Sequence, residues 1–297
     1  MIKFLYLPVF TLLFLLSACK DGGQDASTEQ SDAQVDTTIS SENSLEGTWE
    51  LVEAQLAHAG EGESAIVGEE SDIAYLKIFT KKRFLAFRYN KDDKRFLGAS
   101  GGTYIQLGDE FREYIEFNTW DPSLIETPQT FTCTFEDDRF IQEGYIKGGE
   151  IPDVPLREVY RRLEEGNSAS IDKHPLVGVW SLEKWANGDV ETPEPLPVGH
   201  KSVKLITPTH FTVFRWDESA GDLLKTEDGF DEFIYGSVDL SMDYYTEHII
   251  SFPSQVGIGK TYTFNWSIDN DIFKMTGFID SDEFMDFKIE EYFSREE

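Results

Sequence analysis

One stretch of this chain is written twice. Lys77-Ile78-Phe79-Thr80 runs on to Phe84-Leu85-Ala86-Phe87-Arg88-Tyr89-Asn90, and the pattern returns as Lys204-Leu205-Ile206-Thr207 running on to Phe211-Thr212-Val213-Phe214-Arg215-Trp216-Asp217. Both copies are rich in β-branched and aromatic residues and are short, with a polar break between two apolar segments, so both read as strand pairs. Repetition on this scale means two similar domains or one duplicated barrel, and a chain of 297 residues is long enough for two ordinary cores.

The rest of the chain repeats in the same order. Leu176-Val177-Gly178-Val179-Trp180 answers Leu45-Glu46-Gly47-Thr48-Trp49, and Tyr245-Thr246-Glu247-His248-Ile249 answers Phe111 to Ile115. Thr261-Tyr262-Thr263-Phe264 reads as the counterpart of Thr130 to Cys133, Phe273 to Ile279 of Phe140 to Ile146, and Glu291 to Arg295 of Glu158 to Arg162. Within the first copy, strands are expected at Leu45–Leu51, Tyr75–Thr80, Phe84–Asn90, Thr103–Leu107, Phe111–Asn118, Gln129–Phe135, Arg139–Lys147 and Pro155–Leu163. Gly108-Asp109 supplies a tight turn. The acidic, Gly-containing segment from Gln55 to Asp72 reads as a loop or lid, and Ser100-Gly101-Gly102 as a break. About eight antiparallel strands in each copy is the density of an up-and-down barrel. The expected fold is therefore all-β, two antiparallel up-and-down barrels in tandem at residues 45–165 and 176–297, joined by a linker at 166–175.

The N-terminus is organised for export. Residues 1–18 hold Lys3, an apolar run from Phe4 to Leu16 and then small residues, which reads as a signal peptide too short to span a bilayer. Leu16-Ser17-Ala18-Cys19 resembles the bacterial lipobox, which implies acylation of Cys19 and a bilayer anchor. Residues 20–43 have almost nothing to bury and read as a disordered tether, so that 19–44 forms the acylated Cys and its spacer, with a reach of roughly 25–30 Å. Lys20 in place of Asp favours the outer membrane, facing either the periplasm or the exterior.

Charge and composition exclude several functions. A formal net charge of −30 repels nucleic acid. The five histidines show no metal-ligand spacing, and no phosphate loop or nucleophile elbow is present. Acidic runs at Asp228-Gly229-Phe230-Asp231-Glu232 and Asp280-Ser281-Asp282-Glu283 read as solvated turns more readily than as calcium loops. Alternation places Phe131, Cys133 and Phe135 on one face, with Cys133 as a buried small side chain. No catalytic residue, metal site or cofactor is expected.

Each half resembles lipocalins, and more closely the lipocalin-like domains of Bacteroidota lipoproteins. The resemblance rests on Gly47-x-Trp49 and Gly178-x-Trp180, on Gly101-Gly102-Thr103-Tyr104, on Asp121-Pro122-Ser123-Leu124, and on the closing Glu158 to Arg162. The second copy departs from it: Asp228-Gly229-Phe230-Asp231 stands where the Gly-Gly-Thr-Tyr segment belongs, within an acidic insertion from Glu218 to Glu232. The resemblance implies an eight-stranded barrel with a ligand cavity. It also implies that Trp49 packs under Arg162 (or Arg161), and Trp180 under Arg295, at the closed ends.

Candidate ligand contacts are Phe87, Arg88, Tyr89, Phe214, Arg215 and Trp216. If Arg88 or Arg215 points inward, it offers a bidentate site for an anionic head group; the alternative is a surface arginine flanked by inward aromatics. The resulting reading is an outer-membrane-anchored protein that binds a small hydrophobic or amphipathic ligand. Filled barrels serving as a protein-interaction or envelope-structural module, with an envelope protein as partner, are the alternative, and a hydrolase or isomerase comes third.

Overall fold

The computed structural model describes residues 44–57, 64–68, 71–125, 127–148, 153–163, 174–188, 192–224, 232–252, 257–279 and 287–296. The signal peptide, Cys19, the tether, most of the 166–175 linker and the acidic runs at 228–231 and 280–283 lie outside them. Among the described residues the regular elements are strands, apart from a 3-10 turn at Pro122–Leu124.

The first sheet holds β1 (Gly47–Ala57), β2 (Ser64–Gly68), β3 (Ile73–Phe79), β4 (Arg83–Asn90), β5 (Phe96–Leu107), β6 (Glu110–Asn118), β7 (Gln129–Glu136), β8 (Arg139–Ile146) and β9 (Val154–Arg162). From β3 to β9 each strand pairs antiparallel with the next, and β1 pairs with both β3 and β9. Eight strands thus close a barrel, with β2 attached as a short outer strand on β1. Two expectations are corrected here. Part of the Gln55–Asp72 segment is not a loop: β1 runs on to Ala57 and β2 pairs back on it, Glu53 opposite Gly68. The glycines at 101 and 102 do not break the chain either. β5 passes straight through them, with a bulge that sets Gly101 opposite Phe117 and Gly102 opposite Ile115.

The second sheet repeats this plan with β10 (Gly178–Asn187), the two-residue β11 (Glu194–Pro195), β12 (His200–Ile206), β13 (His210–Asp217), β14 (Phe233–Leu240), β15 (Tyr244–Ser251), β16 (Thr261–Asp269), β17 (Ile272–Ile279) and β18 (Phe287–Arg295). β10 closes it against β18. Even the irregularities recur: the β1–β9 register shifts between Leu51 and Glu53, and the β10–β18 register between Leu182 and Lys184.

Register corrects two of the sequence matches. Gly236 lies opposite Ile249 and Phe211, as Gly102 lies opposite Ile115 and Phe84. The counterpart of Gly101-Gly102-Thr103-Tyr104 is therefore Tyr235-Gly236-Ser237-Val238, not Asp228 to Asp231. Phe264 lies opposite Gly277 as Phe131 lies opposite Gly144. Thr263 to Trp266 therefore answers Thr130 to Cys133, a slip of two residues that keeps the same face.

The two barrels share a core. Leu76, Leu85 and Phe87 of the first pack with Val203, Phe214 and Phe233 of the second in one buried cluster. Phe96 stacks on Phe233 with ring centroids 4.3 Å apart, Phe87 lies 4.9 Å from Phe233, and Phe117 lies 5.1 Å from Phe214. At the rim Arg83 bridges Glu116 of its own barrel (3.0 Å) and Glu296, just beyond β18 (2.5 Å). This contact explains why β3, β4, β12 and β13 are apolar on both faces: one lines a barrel interior and the other lines the seam.

Candidate functional site

Each barrel is plugged at the end where its first strand begins. Trp49 lies directly opposite Arg162, and Trp180 opposite Arg295. Both indoles are buried, and in each pair the guanidinium carbon stands 4.1 Å from the ring centroid. Trp49 Nε1 donates to the Leu45 carbonyl (2.7 Å) and Trp180 Nε1 to that of Leu176 (2.8 Å). The Arg162 guanidinium also donates to the Glu46 and Ser44 carbonyls, and that of Arg295 to Pro175. Arg161 instead pairs with Glu50 (3.1 Å). A guanidinium over an indole contributes about 0.5–2 kcal/mol and seals the floor.

Above each floor stands a feature that sequence reasoning missed. Lys77 points into the first barrel and Lys204 into the second, 3% and 2% exposed. Lys77 Nζ meets Glu113 at 2.5 Å and donates to Gln142 Oε1 at 2.9 Å, ringed by Phe79, Phe84, Phe111, Phe131 and Tyr160 at 5.3–6.0 Å. Lys204 meets Glu247 at 2.9 Å and Tyr245 Oη at 2.7 Å, ringed by Phe211, Tyr245, Phe264 and Phe293 at 5.4–6.0 Å. A buried cation is tolerable only when paired, and losing one partner of such a pair costs about 3–5 kcal/mol. The available signal was a lysine at the same position in both copies of an otherwise apolar strand. These lysines and the aromatic rings occupy the barrel interiors at this level. Glu113 also explains the mixed face of β6: Phe111, Glu113 and Ile115 all point inward, and the acid is there for the lysine.

The opposite ends are where the copies diverge. Arg88 shares the inner face with Tyr75 and Lys77, and Arg215 shares it with Ser202 and Lys204. Phe87, Phe214 and Trp216 point the other way into the seam, where Tyr89 also packs. This reverses the sequence alternative in which the aromatics face inward and the arginines outward.

In the second barrel Arg215 is neutralised. It reaches Ser202 Oγ at 3.2 Å, Glu232 at 3.2 Å and Glu291 at 3.7 Å. In the first barrel no carboxylate among the described residues lies within ion-pair distance of Arg88. Its guanidinium rests 4.8 Å from the Trp120 ring, and both Arg88 Nε and Trp120 Nε1 are buried without a hydrogen-bond partner.

One difference between the barrels at this level is a hydroxyl. Register makes Glu158 the counterpart of Glu291, and Tyr160 that of Phe293. Tyr160 Oη donates to Glu158 at 2.8 Å and holds that carboxylate beside the Lys77 network. Phe293 has no hydroxyl, so Glu291 reaches Arg215. Burial raises the Glu158 carboxyl above the usual range, with Lys77 and the Tyr160 hydrogen bond opposing.

Trp120 caps the first mouth from the loop after β6. Asn118 Oδ1 accepts from the backbone N–H groups of Trp120 (2.8 Å) and Asp121 (2.9 Å), and Asp121 caps the 3-10 turn that follows. The indole packs against Tyr75 with centroids 5.6 Å apart and planes tilted by 32°. Gly98, opposite Arg88, makes the room: a Cβ there would come within 2.2 Å of Trp120 Nε1. The loop is braced from the second barrel, where the Gly221 carbonyl accepts from Asn118 N–H (3.2 Å). Cys133 is buried in the first core, and desolvation pushes its thiol up to about 12, against the pull of Lys77, which leaves it unreactive.

A family model described as a domain of unknown function, DUF4488, matches residues 44–170, the span of the first barrel. No curated protein matches the chain. Among solved structures, a protein from Bacteroides fragilis described as a candidate outer membrane protein is similar at 10% identity and a TM-score of 0.24, over 84% of this chain and 97% of its own. A DUF3598-family protein of unknown function from Nostoc punctiforme aligns at 8% identity and a TM-score of 0.23, over 84% and 96%. A variant of transferrin binding protein B from Haemophilus parasuis aligns at 7% identity and a TM-score of 0.23, over 83% and 75%. The fold assignment rests on the strand pairing of this chain itself.

Proposed function

We propose that this chain is a lipid-anchored protein of the outer membrane that binds a small amphipathic molecule, without turnover, at the mouth of its first barrel. The anchor is read from the signal sequence and Cys19. Contact is restricted to the mouth because the floors are packed with Trp49, Phe79, Phe140 and Tyr160 in one barrel and with Trp180, Phe273 and Phe293 in the other. The observation that carries the reading is the pair of buried, unsatisfied donors, Arg88 Nε and Trp120 Nε1, beside the partly buried Tyr75 ring. Buried polar groups ordinarily find partners, and an orphaned pair in one place points to a ligand group.

Native mass spectrometry of the full protein released from its own envelope tests this. The expected spectrum shows the acyl mass on Cys19 and a reproducible small-molecule adduct; a chain bearing neither an adduct nor affinity for added amphiphiles overturns the reading. A second reading, a protein-interaction or structural module, draws on the packing of both floors. In-envelope cross-linking that yields one discrete protein partner, with no small-molecule adduct, supports it instead.

A further inference from the structure

We infer that the ligand of the first barrel carries a carboxylate, held by Arg88 at the mouth, with its apolar tail lying along Tyr75, Leu124, Ile125 and Ile146. This rests on the reading of the mouth as a binding site and names the chemistry that site selects.

The duplicated barrel supplies the internal comparison. At the position equivalent to Arg88, Arg215 is held by two carboxylates of the chain itself, Glu232 and Glu291. The second barrel thus shows which group satisfies an arginine in this place. In the first barrel the corresponding acid, Glu158, is tied to Tyr160 Oη, and Arg88 is left with the Trp120 ring and a buried Nε that donates to nothing. A carboxylate accepts from a guanidinium through two oxygens, and the fixed donor fork makes the match geometric as well as electrostatic. An indole N–H buried alongside adds a second donor.

The tail follows from the surroundings. Tyr75, Leu124, Ile125 and Ile146 are partly buried against the first core, on the strand ends and loop that form this mouth. The net charge of −30 works against any anion at long range, so a small free carboxylate lacks the apolar contact needed to offset that repulsion. Amphipathic carboxylates have both parts.

Isothermal titration of the full chain with sodium dodecanoate, dodecanol and acetate, each below micellar concentration, tests the assignment. One dodecanoate is expected per chain, with dodecanol and acetate much weaker. Arg88→Gln should weaken dodecanoate binding by at least about tenfold. Its near-ultraviolet circular dichroism should match that of the parent and its melting temperature should be no lower, which separates lost binding from lost fold. Arg88→Lys should retain part of the affinity, and Arg215→Gln all of it. Undiminished dodecanoate binding by Arg88→Gln, dodecanol binding as tight as dodecanoate, or an equal loss in Arg215→Gln would each overturn the carboxylate assignment while leaving an amphiphile-binding protein. Failure of the parent chain to bind either amphiphile overturns the assignment and counts against the binding reading itself.

Discussion

His210 shows how a single side chain couples this fold to pH. Its ring stacks on Tyr235 with centroids 5.7 Å apart and planes 5° from parallel, and its Nδ1 lies 2.9 Å from Thr209 Oγ1. Burial pushes its pKa down to about 4. The folded state therefore favours neutral imidazole, so the stabilisation is present above pH ~6.5 and is lost as pH falls through about 4. We expect the parent chain to lose on the order of 3 kcal/mol more than His210→Gln between pH 7 and pH 4, measured by urea unfolding. An equal loss in both proteins would show that His210 is not the group. The interior lysines were not legible at this scale: Lys77 sits between Leu76 and Ile78, and nothing local distinguishes a cation pointing into a barrel from one reaching water. Its recurrence as Lys204 in the second copy was the one hint, and its ion pair with Glu113, from a distant strand, shows what it does.

Strands were the most legible elements, because alternation along β7 and the apolar repeats of β3, β4, β12 and β13 leave little choice of conformation. Glycines misled in both directions. In β5 they looked like a break, yet they permit a bulge in which the chain crosses close to its neighbour: a Cβ on Gly102 would come within 2.0 Å of the Tyr114 carbonyl oxygen. At Gly236, opposite Ile249, the same clash would arise with the His248 carbonyl at 2.2 Å. We expect Gly102→Ala to destabilise the protein by about 2 kcal/mol or more. Gly108→Ala, at a turn with φ +67 and nothing within 4 Å of the added methyl, should cost only about 1 kcal/mol. Thermal unfolding of the two variants checks the order, and a Gly102→Ala as stable as Gly108→Ala would contradict the bulge. Both slipped matches in the second copy had a different cause: loops of unequal length move the register, and only strand pairing shows where it resumes.

At the scale of the whole molecule, duplication was legible and the seam was not. A strand that is apolar on both faces has no readable inside, which is why Phe87 and Arg88 could not be assigned to seam and interior from sequence. Closure set the floors, since a first strand that pairs with the last brings Trp49 to Arg162 and Trp180 to Arg295. Packing then joined the barrels through a shared aromatic core, with the β13–β14 segment at Gly221 bracing the loop that carries Trp120.

What the two copies do not share is the state of their mouth arginines. Melting of matched variants, Arg88→Met and Arg215→Met, reads that difference most directly. Removing Arg88 relieves a buried donor with no partner, so its melting temperature should equal or exceed that of the parent. Removing Arg215 strands Glu232 and Glu291 and should cost on the order of 1–2 kcal/mol, allowing for their partial exposure. Equal destabilisation by the two substitutions would contradict a divided pair of barrels, one satisfied by its own acids and the other built to receive one.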